Sequence, residues 1–199
     1  MIIRLVFFLI FLVSFVTFSM EYYIPHLNFQ PPFSEVEPNG EKIISKEWRN
    51  SGSTVVGSNF VRLTPDRQSK RGGIWCRTET ATDSLSTVLK FRISGQAKNF
   101  FGDGIGFWFT SDHFHNEGEL HGSHEKFHGV GIIIDTFRNT ENFATHRDIT
   151  LLINDGTRTY EQMTESVIGC NTNVRFHNDR ADFSVTDASR IRVNIETNK

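Results

Sequence analysis

Residues 100–139 constrain this chain more than any other stretch. Phe100-Phe101-Gly102-Asp103-Gly104-Ile105-Gly106-Phe107-Trp108-Phe109 is an aromatic, glycine-rich strand opened by an acid, and a second, apolar strand runs into Asp135-Thr136-Phe137-Arg138-Asn139. The two segments set carboxylates at strand ends, and the second adds an amide. An all-β frame is what holds strand ends side by side.

The rest of the pattern agrees. Val55–Leu63, Thr87–Ile93, Ile105–Phe109, Val130–Ile134, Ile149–Asn154, Thr157–Tyr160 and Arg190–Ile195 are short, rich in Val, Ile, Thr and Phe, and divided by Gly, Asn, Asp or Ser. Arg190–Ile195 alternates apolar with polar residues, as a strand wet on one face does. Val130–Ile134 does not alternate apart from its glycine, which predicts a central strand covered on both faces. Asn154-Asp155-Gly156-Thr157 predicts a tight hairpin, because glycine at the second turn position accepts a positive φ. The 19 phenylalanines fit two curved sheets with a wide apolar interior, and core packing accounts for most of them.

Residues 1–20 carry Arg4 and then the run Leu5–Phe18, interrupted only by Ser14 and Thr17. They read as a signal peptide, the run being short of the roughly 20 apolar residues a membrane span needs. An oxidising lumen or the cell exterior is the implied setting. Residues 21–52, with Pro25, Pro31, Pro32 and Pro38 in a polar context, predict an extended N-terminal arm leading into one domain over residues 53–199. The formal net charge is −2 with no basic patch, so nucleic acid is not an expected partner. The two cysteines, Cys76 and Cys170, are too few for a disulfide scaffold; a single bridge and two unbridged thiols both stay open.

His124-Glu125-Lys126-Phe127-His128 matches the HExxH pattern of zinc proteases. That chemistry needs a helix, with two imidazoles one turn apart and the glutamate as base. Gly122 and Gly129 bracket the motif and a strand begins at once after it, so there is no room for a helix and the protease reading is set aside. His113, His115, His121, His124 and His128 crowd into one stretch. A solvated loop explains that crowding most simply, and adventitious metal binding or a proton switch bordering a ligand site are the alternatives.

Taken together, Asn59-Phe60-Val61-Arg62-Leu63-Thr64-Pro65-Asp66, Ser69-Lys70, Gly73-Ile74-Trp75, Gly102-Asp103-Gly104-Ile105, Trp108-Phe109-Thr110 and Phe127-His128-Gly129-Val130-Gly131-Ile132 running to Asp135-Thr136-Phe137 resemble the legume-type (L-type) lectin domain. The likeness extends over residues 40–195 and is greatest to the mannose lectins of the early secretory pathway. It implies a concanavalin-like sandwich of two antiparallel sheets that binds high-mannose N-glycans of glycoprotein cargo through calcium and hydrolyses nothing. By the same resemblance Asp103 accepts hydrogen bonds from mannose hydroxyls, Asn139 both ligates calcium and touches the sugar, and Ser69 faces the next mannose. The bond before Asp103 is expected to be cis.

Chemistry supports part of the calcium set. Calcium takes about six to eight oxygens, and alternate positions after a strand offer the Asp135 carboxylate, the Phe137 carbonyl and the Asn139 side chain. An Asp-x-x-x-Asn turn is the plainer account of the same residues.

Two departures from the family pattern stand out. Where relatives carry Tyr-Asp-His-x-x-Asp, this chain has Tyr160-Glu161-Gln162-Met163-Thr164-Glu165; the sugar-contacting histidine is missing, and Glu165 or Glu161, each one methylene longer than the aspartate, is left to supply the calcium-ligating carboxylate, Glu165 being the residue assigned to it. Relatives also continue past the place of Lys199 with further strands, a glycine-rich loop and the cysteine that pairs with the one at Cys170. The domain is therefore expected to be incomplete at its C-terminus, with any membrane anchor outside this chain. The leading expectation is a mannose-binding cargo lectin of the ER–Golgi lumen. A lectin-like interaction module that has lost sugar binding comes second, and a glycosidase, which needs two carboxylates flanking a cleft, comes third.

Overall fold

The computed structural model of the protein describes residues 23–40, 42–99, 101–112, 115–137, 146–165, 168–176 and 189–196. The expected signal peptide lies outside them. In chain order the elements are β1 (Ser34–Val36), β2 (Lys42–Ile44), β3 (Trp48–Gly52), β4 (Val55–Val56), β5 (Val61–Arg62), β6 (Gly72–Cys76), β7 (Ser84–Phe91) and β8 (Ile93–Ser94). They continue with β9 (Gly104–Thr110), β10 (His128–Asp135), β11 (Ile149–Asp155), α1 (Tyr160–Thr164), β12 (Ile168–Cys170), β13 (Arg175–Phe176) and β14 (Ser189–Glu196).

The architecture is a sandwich of sheets. Its largest sheet has the order β12-β11-β10-β9, and β14 pairs antiparallel with β7 in a long two-stranded ribbon. The apolar run of β10 behaves as expected: it is flanked by β9 and β11, and Gly131, Ile132, Ile133 and Ile134 are all buried. Alternate side chains enter different clusters. Ile133 joins Phe127, Leu152 and Met163 on one face, with Trp108 packed edge-on against Phe127 at 5.0 Å. Ile134 joins Phe91 and Val174 on the other, where Ile191 of the ribbon also packs. Each such side chain contributes about 1.5–3 kcal/mol of hydrophobic burial, which is why this sheet is a firm base for the loops at its end.

Two expectations are corrected. Residues 34–52 are not merely an extended arm, since β1 pairs with β2 and β3 pairs with β6 in register from Trp48↔Cys76 to Gly52↔Gly72. The hairpin predicted after Asn154 does not form either. The turn residue Gly156 does take a positive φ of 87°, but the chain then enters α1 where a strand was expected from Thr157 to Tyr160. The Asn154 side chain accepts from the amides of Gly156 and Arg158 at 3.2 and 3.1 Å and donates to the Glu125 carbonyl at 3.0 Å. Thr159 and Gln162 then close a capping box, and Met163 anchors the short helix in the core. Local caps outweigh the β preference of Thr and Tyr.

Candidate functional site

Register assembles the site. In the β9–β10 ladder Asp135 lies opposite Gly104, so Asp103 and Thr136 meet just beyond the paired residues. The Thr136 amide and hydroxyl both donate to the Asp103 carbonyl, at 2.8 and 3.2 Å. The Gly102–Asp103 bond is cis, as the family resemblance implied. Glycine at 102 also allows a close approach, because a Cβ there would stand 2.7 Å from the Phe137 Cβ.

Asp135 is the strand-end acid. Its Oδ1 accepts from the Phe137 amide at 2.8 Å, an Asx-type turn that aims the following segment. Burial pushes its carboxyl above the ordinary range; the Phe137 amide, His121 and His146 oppose the shift, and the like charge of Asp103 adds to it. A half-buried strand-end carboxylate of this kind fits a hard oxygen-seeking ion such as calcium. Among the described residues no three of His, Cys, Asp and Glu converge to hold a metal, so a calcium here depends on carbonyl and amide oxygens as well.

β11 brings further groups that the sequence reading missed. Ile149 pairs with Ile134, which places Asp148 next to Asp135, and the Asp135 amide donates to the Asp148 carbonyl at 3.0 Å. The Asp148 carboxylate accepts from the Thr172 amide at 2.7 Å. Buried His146 brings its Nε2 to 3.4 Å from Asp148 Oδ1, without the alignment of a hydrogen bond. The signal available was positional: once β10 and β11 are paired, the residue before one strand sits against the residue after the other.

A cleft of ≈ 890 Å³ opens alongside, bordered by Asp135, Thr136, Asp148 and Asn171 on one side and by Phe101 and Arg175 on the other. Arg175 is buried, donates to the Gly95 carbonyl at 2.9 Å and lies 3.9 Å over the Phe101 ring. Asp66 of the Leu-Thr-Pro-Asp segment accepts from the Gln96 amide at 2.7 Å, so that motif braces the cleft wall.

The remaining expected residues are less concentrated. Asn139 lies outside the described residues. Ser69 is exposed in the loop between β5 and β6 with a φ of 57°, and among the described residues no bond joins it to Asp103 or Asp135. Glu165 is the exposed C-terminal cap of α1, and its charge is not among those acting on Asp135. Gln162, at the position to which the resemblance assigned a histidine, has its carboxamide oxygen taken by the Thr159 amide at 2.9 Å.

The HExxH segment is not helical, and its residues serve the fold. His124 pairs with Asp112 at 2.9 Å, Glu125 accepts from the Tyr160 amide, Phe127 is fully buried, and His128 opens β10 with its Nδ1 2.9 Å from the Ser111 hydroxyl. His115 stacks on Trp75 at 5.4 Å between ring centroids. His113 lies outside the described residues. His121 differs: it reaches the electrostatic neighbourhood of Asp135 and Asp103, and burial lowers its pKa against the pull of those two acids.

With this geometry in hand, comparison with known proteins is informative. The profile of the Legume-like lectin family matches residues 21–199. The vesicular integral-membrane protein VIP36 of Homo sapiens is 34% identical over 158 residues, which cover 75% of this chain and 43% of the relative. A VIP36-like protein of Bos taurus is 35% identical over 120 residues, covering 59% and 34%. The chain thus spans less than half the length of these curated relatives. Among solved structures, the exoplasmic/lumenal domain of VIP36 in its Ca²⁺-bound form superposes with a TM-score of 0.70 at 27% identity, covering 87% of this chain and 68% of that one. The Ca²⁺/Man2-bound form gives the same TM-score and identity, covering 87% and 66%.

Proposed function

Because the chain belongs to the legume-like lectin family, we propose that it binds high-mannose N-glycans on glycoprotein cargo in a calcium-dependent manner, in the lumen of the early secretory pathway, and turns nothing over. One observation carries the reading: the β9–β10 register and the two Thr136 bonds hold Asp103 against the strand end that bears Asp135. The VIP36 domain, solved with Ca²⁺ and Man2 and with Ca²⁺ and Man3GlcNAc, supports it from outside.

In this proposal Asp135, the Phe137 carbonyl and Asn139 hold the calcium, and Glu165 completes the set. Calcium supplies, when bound, the positive charge that the half-buried Asp135 carboxylate needs. Asp103 accepts hydrogen bonds from mannose hydroxyls, a task suited to a carboxylate with several lone pairs. Asn139 and Ser69 add contacts to the first and second mannose. Each polar contact replaces one made with water, so affinity per site is weak and useful binding depends on multivalency.

A second reading is an interaction module that has lost sugar binding. It is favoured by Gln162, whose carboxamide is committed to the α1 capping box, and by the exposed position of Glu165. A high-mannose glycan array separates the two. Binding that EDTA abolishes and added calcium restores is the expected result, and silence on the array at saturating calcium selects the second reading.

A further inference from the structure

The hairpin tip at residues 120–123 is built to present one side chain. Leu120 and Ser123 bridge through paired backbone bonds of 3.0 and 2.9 Å. The two residues between them both have positive φ, 44° at His121 and 88° at Gly122, the signature of a tight primed turn. Glycine adopts that conformation freely; a histidine does so less readily and only where its surroundings hold it. They do so here from both sides. His115 bonds the Gly122 carbonyl through Nε2 at 3.1 Å while stacking on Trp75, and the His124 amide donates to the Asn116 carbonyl at 3.1 Å. His124 itself is fastened to Asp112.

The ring so presented keeps one nitrogen unpaired. His115, His124 and His128 are each engaged by the loop, whereas His121 Nδ1 is sealed from solvent with no hydrogen-bond partner. Native proteins rarely leave a buried polar nitrogen unpaired, and such a group calls for a partner that arrives. The acids around it state the kind of partner. Asp103 and Asp135 both bear on the ring, and carboxylates only accept hydrogen bonds, so a hydroxyl that donates to Asp103 still has lone pairs to fill. A neutral imidazole carries the missing N–H together with a lone pair.

We propose that His121 is a ligand-contacting residue of this site, its imidazole hydrogen-bonding a saccharide hydroxyl that is shared with Asp103. The inference rests on the lectin reading above and adds a contact to it. Burial favours the neutral ring, and a neutral imidazole offers one donor and one acceptor. Rotation about its sp³–sp² bond is soft, so the ring can turn toward a hydroxyl while the backbone stays in the turn.

The test uses the full chain with calcium and mannobiose as the probe. His121→Asn retains the primed turn, since asparagine accepts positive φ, but withdraws the imidazole. Calcium binding by calorimetry should stay at the wild-type level while mannobiose affinity falls about fivefold to tenfold, the effect of one lost hydrogen bond whose partner remains. On the wild-type protein, the ¹⁵N resonances of the His121 ring should move on mannobiose addition, a readout independent of how the variant folds. If H121N binds mannobiose as wild type does while Asp103→Ala does not, or if the ring resonances stay still at saturation, the inference fails and the lectin reading stands. If the wild-type protein takes up no mannobiose in saturating calcium, both fail together.

Discussion

Thr136 donates twice to the carbonyl of Asp103, through its amide at 2.8 Å and its hydroxyl at 3.2 Å. The acid proposed to meet the sugar is therefore fastened to the segment proposed to hold calcium, by backbone geometry that the β9–β10 ladder sets. Order imposed on residues 135–137 passes to residue 103 through these bonds.

Thr136→Val keeps the amide bond and the side-chain shape but removes the hydroxyl donor. That bond is worth about 0.5–1.5 kcal/mol of folding stability, so the thermal melt should fall by a few degrees, and glycan affinity in calcium should weaken by up to about tenfold as Asp103 loses part of its tether. Calorimetry on both proteins checks this, and equal affinities would show that the hydroxyl does not couple the two segments.

Phe127→Ala tests the base beneath the site. The side chain is 0% exposed and packs with Ile133, Leu152, Met163 and Trp108, so its removal should cost about 3–5 kcal/mol in urea unfolding. A cost under about 1 kcal/mol would mean that the cluster collapses around the gap.

The pH dependence follows from Asp135. Burial raises its carboxyl pKa in the metal-free protein, so the folded chain keeps a proton at a pH where the unfolded chain has released it. Metal-free stability should then fall as pH rises from the ordinary carboxylate range through the raised value. Calcium needs the ionised form, so calcium affinity should rise across the same window. Melts in EDTA and calcium titrations from about pH 4 to 7 measure both slopes, and Asp135→Asn should flatten them.

Both cysteines are free thiols, Cys76 half-buried on β6 and Cys170 exposed on β12. The question left open by the sequence thus resolves toward two thiols within these residues. Burial pushes the Cys76 thiol up and the nearby Glu47 charge adds to it, opposed by a backbone hydrogen bond at Thr78, and the thiolate is the reactive form. Ellman's reagent should label Cys170 quickly and Cys76 slowly; two fast equivalents would place Cys76 outside its pocket.

Much of this was legible from residue pattern. The continuous apolar run of β10, the aromatic strand β9 and the alternation of β14 each reflect burial on two faces or one, which period and composition report directly. Asp103 and Asp135 drew notice as candidates because each stands at the end of such a strand. α1 was not legible, since Thr157–Tyr160 carries strand-forming residues and only the Thr159–Gln162 capping box and the single anchor Met163 turn it into a helix. The roles of Asp148 and His146 depend on the pairing of β10 with β11, which no local pattern states. The crowding of histidines marked residues 113–128 as unusual, but only the turn geometry singled out His121.

The most direct measurement is calorimetry of calcium, and then of a mannose oligosaccharide, into the folded wild-type protein and into Asp103→Ala. The account predicts calcium uptake by both proteins and sugar uptake by the wild type alone, lost when EDTA is added. Sugar bound equally well by D103A, or no calcium taken up by the wild-type chain with glycan present, would contradict it.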